Sequence, residues 1–105
     1  MGQGFKYKRM NTREQKEHYS RLADFGCVLC YYLGYGEGTP AEIHHIRRAG
    51  KRDNAPVIPL CPPHHRGTQF GVHGLGRKAF EKLHGTSEEQ LLELINGKIE
   101  ENKNG

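Results

Sequence analysis

Two short spacings place sulfur and imidazole where one ion can gather them. Cys27-Val-Leu-Cys30 and Cys61-Pro-Pro-His64 each set two donors three positions apart. Thiolates and imidazole are the donors of tetrahedral zinc, and a Cys3His shell leaves no position open, which makes such a site structural rather than catalytic. This set uses all three cysteines of the chain. A redox dithiol and a plain buried pair are the other readings of Cys27 and Cys30; the first wants a strand-helix alternation that the flanking residues lack. Four histidines close by are left over: His44, His45, His65 and His73. Taken singly, a histidine is more often a packed polar residue than a ligand. Here His44-His45 and His64-His65 sit at the two ends of one turn-rich stretch, and their convergence would make a second, imidazole-lined ion site.

Positioning them falls to short elements. Ala41 to Ile46 and Pro56 to Cys61 are β-prone runs, which predicts a hairpin with the basic loop RRAGKRDNA between its strands. Pro56 and Pro59 offer no N–H to a ladder, so the second strand is expected to be short, irregular or at an edge. On an ideal strand neighbouring side chains point to opposite faces, so His44 and His45 serve one site only if the strand bends or ends there. Ahead of the hairpin, Thr12-Arg-Glu-Gln15 has the form of a capping box. It opens a helix over about 13–25, with Tyr19, Leu22 and Ala23 at helical spacing and Gly26 as its stop. Behind the hairpin, Arg77 to Leu83 reads as a short helix with Ala79, Phe80 and Leu83 on its apolar side. Ser87-Glu-Glu-Gln90 is a second capping box, before a last helix with Leu91, Leu92 and Ile95 on its apolar face that Asn96-Gly97 ends or weakens. The expected organisation is a basic arm over 1–11, one domain over 12–97 and a frayed tail over 98–105. The fold class is α+β.

Composition agrees with a metal-stapled domain. The chain has 105 residues, 34% of them apolar, with 14 glycines and no tryptophan, a thin supply for a core. A structural ion is the cheapest supplement. Net charge is +4, and the basic residues cluster at Lys6, Lys8 and Arg9, then at Arg47, Arg48, Lys51 and Arg52, with Arg66 and Arg77 following. That pattern fits a polyanion partner, although any one cluster alone is equally a solvated surface. An odd cysteine count and the lack of an apolar N-terminal run argue against a disulfide framework and for the cytoplasm. No run approaches the ~20 residues of a membrane span, and Lys6 stands where an acylation signal would want Ser or Thr.

The order Cys-x-x-Cys, then His before Ile, then Pro-Leu-Cys-x-x-His-His resembles the HNH, or ββα-metal, endonucleases that carry a zinc knuckle. More narrowly, GCVLC, GTPAEIHHIR, IPLCPPHHRG and HGLGRKAFEKLHGT together are similar to the phage Ref-type, RecA-dependent nucleases, over about residues 20–95. The resemblance implies a small ββα-metal core with flanking helices, a structural zinc, and DNA and the RecA filament as partners in the cytoplasm of a bacterial host. By the same resemblance His45 matches the general base, His44 and His65 match ligands of the catalytic ion, and His73 lies where a further ligand comes from. The middle Asn of the motif falls near Pro56 here, so Asn54, Asp53 or a backbone carbonyl would orient the base. The chemistry asks for these types. Hydrolysing a phosphodiester near neutral pH needs a base of pKa near 7 and a dication, Mg2+ or Mn2+, to neutralise phosphate. An all-imidazole set also takes Zn2+ or Ni2+ by affinity. Arg47, Arg48, Lys51, Arg52, Arg66 and Arg77 are then DNA-binding residues, clamping phosphate with little sequence information. His18 and His84 are expected to be structural, His84 suiting a helix end. The rival readings are a catalytically silent, zinc-stapled DNA-binding module and, more weakly, a redox or metal sensor built on Cys27 and Cys30.

Overall fold

The computed structural model describes residues 11–46 and 56–104. The N-terminal arm and the loop carrying Arg47, Arg48, Lys51, Arg52, Asp53 and Asn54 lie outside them. Among the described residues, six helices and one two-stranded sheet follow in the order α1 (Thr12–Phe25), α2 (Val28–Tyr32), β1 (Glu42–His45), β2 (Val57–Leu60), α3 (Pro62–Arg66), α4 (Val72–Leu75), α5 (Arg77–His84) and α6 (Glu88–Asn104). This is the expected α+β arrangement, an antiparallel hairpin flanked by helices.

Local chemistry sets most of these boundaries. Helix α1 is capped one residue earlier than the sequence suggested: Asn11 Oδ1 accepts from Glu14 N–H at 2.8 Å, and Glu14 returns the bond to Asn11 N–H at 3.0 Å. Asn is as good a cap as Thr, and Glu completes the box that Gln15 was expected to close. The chain leaves α1 through Gly26 at φ 95°, where a Cβ would stand 2.7 Å from Gly38 N. That close approach lets Gly38 N–H reach Phe25 O and Cys27 N–H reach Thr39 O, which fixes Cys27 at the mouth of α2. The Cys-x-x-Cys segment is therefore the first turn of a helix, with Cys27 at its N-cap.

In the hairpin Glu42 pairs with Leu60, Ile43 with Pro59, His44 with Ile58 and His45 with Val57. Pairing carries on to Ile46 N–H, which donates to Pro56 O at 2.9 Å. The strand neither bends nor ends between His44 and His45. Pro59 is tolerated because a two-stranded sheet leaves each strand an open edge. All four residues of β2 are buried. They meet Leu22 and Phe25 of α1, Leu29 of α2, Phe80 of α5 and Leu91 and Ile95 of α6 in one core.

Three expectations are corrected. Helix α6 does not end at Asn96-Gly97; it runs to Asn104, and Ile99 is buried. Isoleucine one turn beyond Ile95 extends the apolar stripe, and its burial outweighs the roughly 1 kcal/mol helix penalty of Gly97. On α5 only Phe80 is buried, while Ala79 and Leu83 face solvent. Ala23 of α1 is likewise exposed, and Leu22 and Phe25 carry that helix's contact with the core.

Candidate metal centres

Cysteine 27 caps α2 and also opens the first site. Its Sγ accepts from Cys30 N–H at 3.3 Å, the turn that sets two thiols side by side. Across the core, Cys61 ends β2 and caps α3, whose first turn is Pro62-Pro63. Proline suits that position because its fixed φ is already helical and its missing N–H would have had no partner there. The turn carries His64 back over Cys61, with Nδ1 3.2 Å from Cys61 Sγ, 3.6 Å from Cys30 Sγ and 3.8 Å from Cys27 Sγ; Cys30 and Cys61 Sγ are 3.8 Å apart. A tetrahedral zinc bonded at its usual lengths sets donor-donor edges of roughly 3.5–3.8 Å. The four atoms fit that frame, and this Cys3His cluster could hold a structural zinc.

Electrostatics agree with a dication here. Burial pushes the Cys27 thiol up to about 12 and raises Cys61 as well, so neutral thiols are favoured until a cation arrives to stabilise thiolates. Burial, helped by neighbouring His84, lowers His64 and keeps its imidazole neutral and able to ligate. His84 bonds Phe70 O at 2.9 Å through Nε2 and packs edge-on against Phe80 and His64, so its role extends beyond a helix-end charge.

One residue on, His65 points elsewhere. Consecutive helical residues diverge by about 100°, so α3 sends His64 toward the cysteines and His65 toward β1. His65, His44 and His73 form a triangle with ring centroids 5.0, 5.3 and 4.8 Å apart, and one nitrogen from each lies within 4.8 Å of the others. Helix α4 brings in His73. It lies so close to the end of α3 that a Cβ on Gly74 would be 2.2 Å from Gly67 O. His44 is 4% exposed, and its Nδ1 is buried with no hydrogen-bond partner among the described residues. An orphaned imidazole nitrogen costs free energy unless something takes its lone pair. Beside two more imidazoles, a divalent ion fits that need.

His45 is not brought into this triangle. It is exposed at the end of β1, its ring edge-on to Tyr19 at 6.5 Å. His18 also rests near Tyr19, with ring centroids 6.3 Å apart.

Two carboxylates that sequence reasoning missed complete the surroundings. Glu88, in the first turn of α6 and 5% exposed, meets His44 Nε2 and Arg77 Nε; Glu42 meets His65 Nδ1 and is held by Arg66 through two nitrogens. Burial alone would raise Glu88, but the bonds from His44 and Arg77 outweigh it and hold its carboxyl below the usual range. The Arg66 bond, with that of His65, lowers Glu42. Arg66 and Arg77 thus lie on carboxylates, with side chains still 63% and 47% exposed.

No curated protein and no solved structure matches the chain. A family model described as recombination enhancement, RecA-dependent nuclease matches residues 11–99. That span runs from the cap of α1 into the last turns of α6 and takes in both clusters. A match over most of the sequence settles the kinship: the chain belongs to the recombination enhancement, RecA-dependent nuclease family.

Proposed function

We propose that the chain is a metal-dependent endonuclease of the HNH type that hydrolyses DNA phosphodiester bonds, with RecA filaments directing it to its target. One observation carries this reading: a buried imidazole nitrogen of His44 with no partner among the described residues, beside His65 and His73. A silent DNA-binding module would need the zinc cluster and the basic residues but has no use for that arrangement. DNA and RecA as partners follow from the family's description.

His44, His65 and His73 hold the ion, Mg2+ or Mn2+ during turnover, with Zn2+ or Ni2+ also taken by an all-imidazole set. When bound, a divalent ion neutralises the phosphate and stabilises the departing oxygen. His44 and His65 each engage a carboxylate through one ring nitrogen and give the other to the ion, so neither has a lone pair left for a proton. The base must then come from outside the ligand set. His45 meets that requirement, being adjacent in sequence and open to solvent. On the regular strand His45 faces away from His44 and so takes no part in holding the ion; it can act only from the other side of the phosphate, where in-line displacement wants the proton acceptor beside the attacking water and away from the leaving oxygen. Arg47, Arg48, Lys51 and Arg52 of the hairpin loop clamp flanking phosphates, and Asn54 of the same loop orients the base. The exposed edges of Arg66 and Arg77 add to this surface.

The test is cleavage of supercoiled plasmid and of a displacement loop with Mg2+ or Mn2+, with and without RecA and ATP. Wild type should cut, and His45→Ala should lose roughly 100- to 10,000-fold in rate, the usual contribution of a general base. Persistent cutting by His45→Ala would remove the base assignment. Tight DNA binding without cutting under any of these conditions would leave the silent module as the function.

A further inference from the structure

An imidazole offers a nitrogen to an ion only where that nitrogen carries no hydrogen, so whatever holds the hydrogen on the other nitrogen selects the donor atom. In this chain the two buried-side histidines are held in opposite senses. His44 Nε2 lies 2.5 Å from Glu88 Oε2, which leaves Nδ1, buried and with no partner among the described residues. His65 Nδ1 lies 2.8 Å from Glu42 Oε1, which leaves Nε2. Each carboxylate is anchored in turn. Arg77 Nε donates to Glu88 Oε1 at 3.2 Å, and Arg66 donates to Glu42 through Nε at 3.0 Å and Nη2 at 2.5 Å.

Resting on the reading of His44, His65 and His73 as one ion site, we propose that Glu88 and Glu42 are its positioning residues. They keep the hydrogen on Nε2 of His44 and on Nδ1 of His65, so the two histidines present opposite ring nitrogens, Nδ1 and Nε2, to the same ion. The reverse tautomers are disfavoured on both sides. A lone pair would face a carboxylate oxygen across each short contact, and a hydrogen would point into the centre. An anionic acceptor also makes the ring a stronger donor to the ion. The arginines have a matching role: by bonding the second oxygen or a second lone pair of each acid they fix its orientation. Arg66 and Arg77 thereby reach the ion site through the acids. The four groups come from different elements, Glu42 from β1, Arg66 from α3, Arg77 from α5 and Glu88 from α6. The centre is therefore completed only when α6 docks against the hairpin.

The experiment uses the full chain with its zinc in place. Long-range proton-nitrogen correlation spectra of the imidazoles read the tautomers before any added ion, and calorimetry with Ni2+ as probe then reads affinity, for wild type, Glu88→Ala, Glu88→Gln and Glu42→Ala. Wild type should show Nε2–H on His44 and Nδ1–H on His65. Each alanine variant should mix the tautomers of its own histidine and weaken Ni2+ binding about 10- to 100-fold. Glu88→Gln keeps an acceptor and should restore the His44 tautomer with part of the affinity. If Glu88→Ala does not fold, the Glu42 pair decides, because that side chain is one-third exposed. Reversed tautomers in wild type, or alanine variants with tautomers and affinity unchanged, would overturn the proposal. So would losses that merely follow the melting temperature and are not recovered by glutamine. A wild-type chain with the expected tautomers that takes up no Ni2+ would fail differently, removing the ion site itself and the positioning role with it.

Discussion

His64 and His65 are neighbours with different partners, and the divergence has a simple cause. A short helix started by two prolines turns one ring onto three thiols and the next onto a strand. Loss of Cys61 should therefore be a stability event. If the Cys3His cluster holds zinc, Cys61→Ser is expected to release it and lower the melting temperature by on the order of 10–20 °C. Zinc analysis paired with a thermal melt checks this, and unchanged melting would count against the cluster. Glu88 makes a second prediction through pH. Its folded carboxyl sits below its ordinary value of 4.5, so the stabilisation is present above that value and is lost as pH falls through the depressed folded one. His64 acts in the same direction at higher pH: its lowered folded value means that acid favours the unfolded chain as pH drops below about 6.5. Melting temperatures from pH 7 to pH 3 should fall in two stages, and Glu88→Gln should flatten the lower one.

Among the elements, those with local signals were legible and those set by packing were not. Ser87 and Gln90 form the reciprocal cap their spacing promised, at 3.0 and 3.1 Å. The hairpin strands fall within a residue of the expected runs because apolar β-prone residues are bounded by turn formers on both sides. The end of α6 was misread because Asn96-Gly97 is a stop signal by propensity, whereas Ile99 reaches the core and carries the helix onward. Ile99→Ala should accordingly cost about 2–4 kcal/mol in denaturant melts, the range for truncating a buried aliphatic. A change under ~0.5 kcal/mol, the usual surface value, would restore the frayed tail. Helix α4 was invisible because four residues between glycines carry no periodicity, and it exists through close contact with Gly67 and Thr68.

At the scale of the whole molecule, a single hairpin serves two donor clusters that could each hold an ion, one closing its far end against α2 and the other beside β1 with α3 and α4. Both clusters could be read in advance, the first because the three cysteines and His64 stand in two local x2 spacings and the second because His44 and His65 flank one hairpin. Glu88 could not, since it looks like any acid in a helix first turn and meets His44 only through tertiary packing. For Arg66 and Arg77 the sequence showed a charge but not the carboxylate beside each. The division of labour is tested most directly by Mn2+-dependent plasmid cleavage with zinc-loaded His65→Ala. The account predicts a folded chain that keeps its zinc and melting behaviour yet loses cleavage by at least about 100-fold. Cleavage by that variant at the wild-type rate would contradict it.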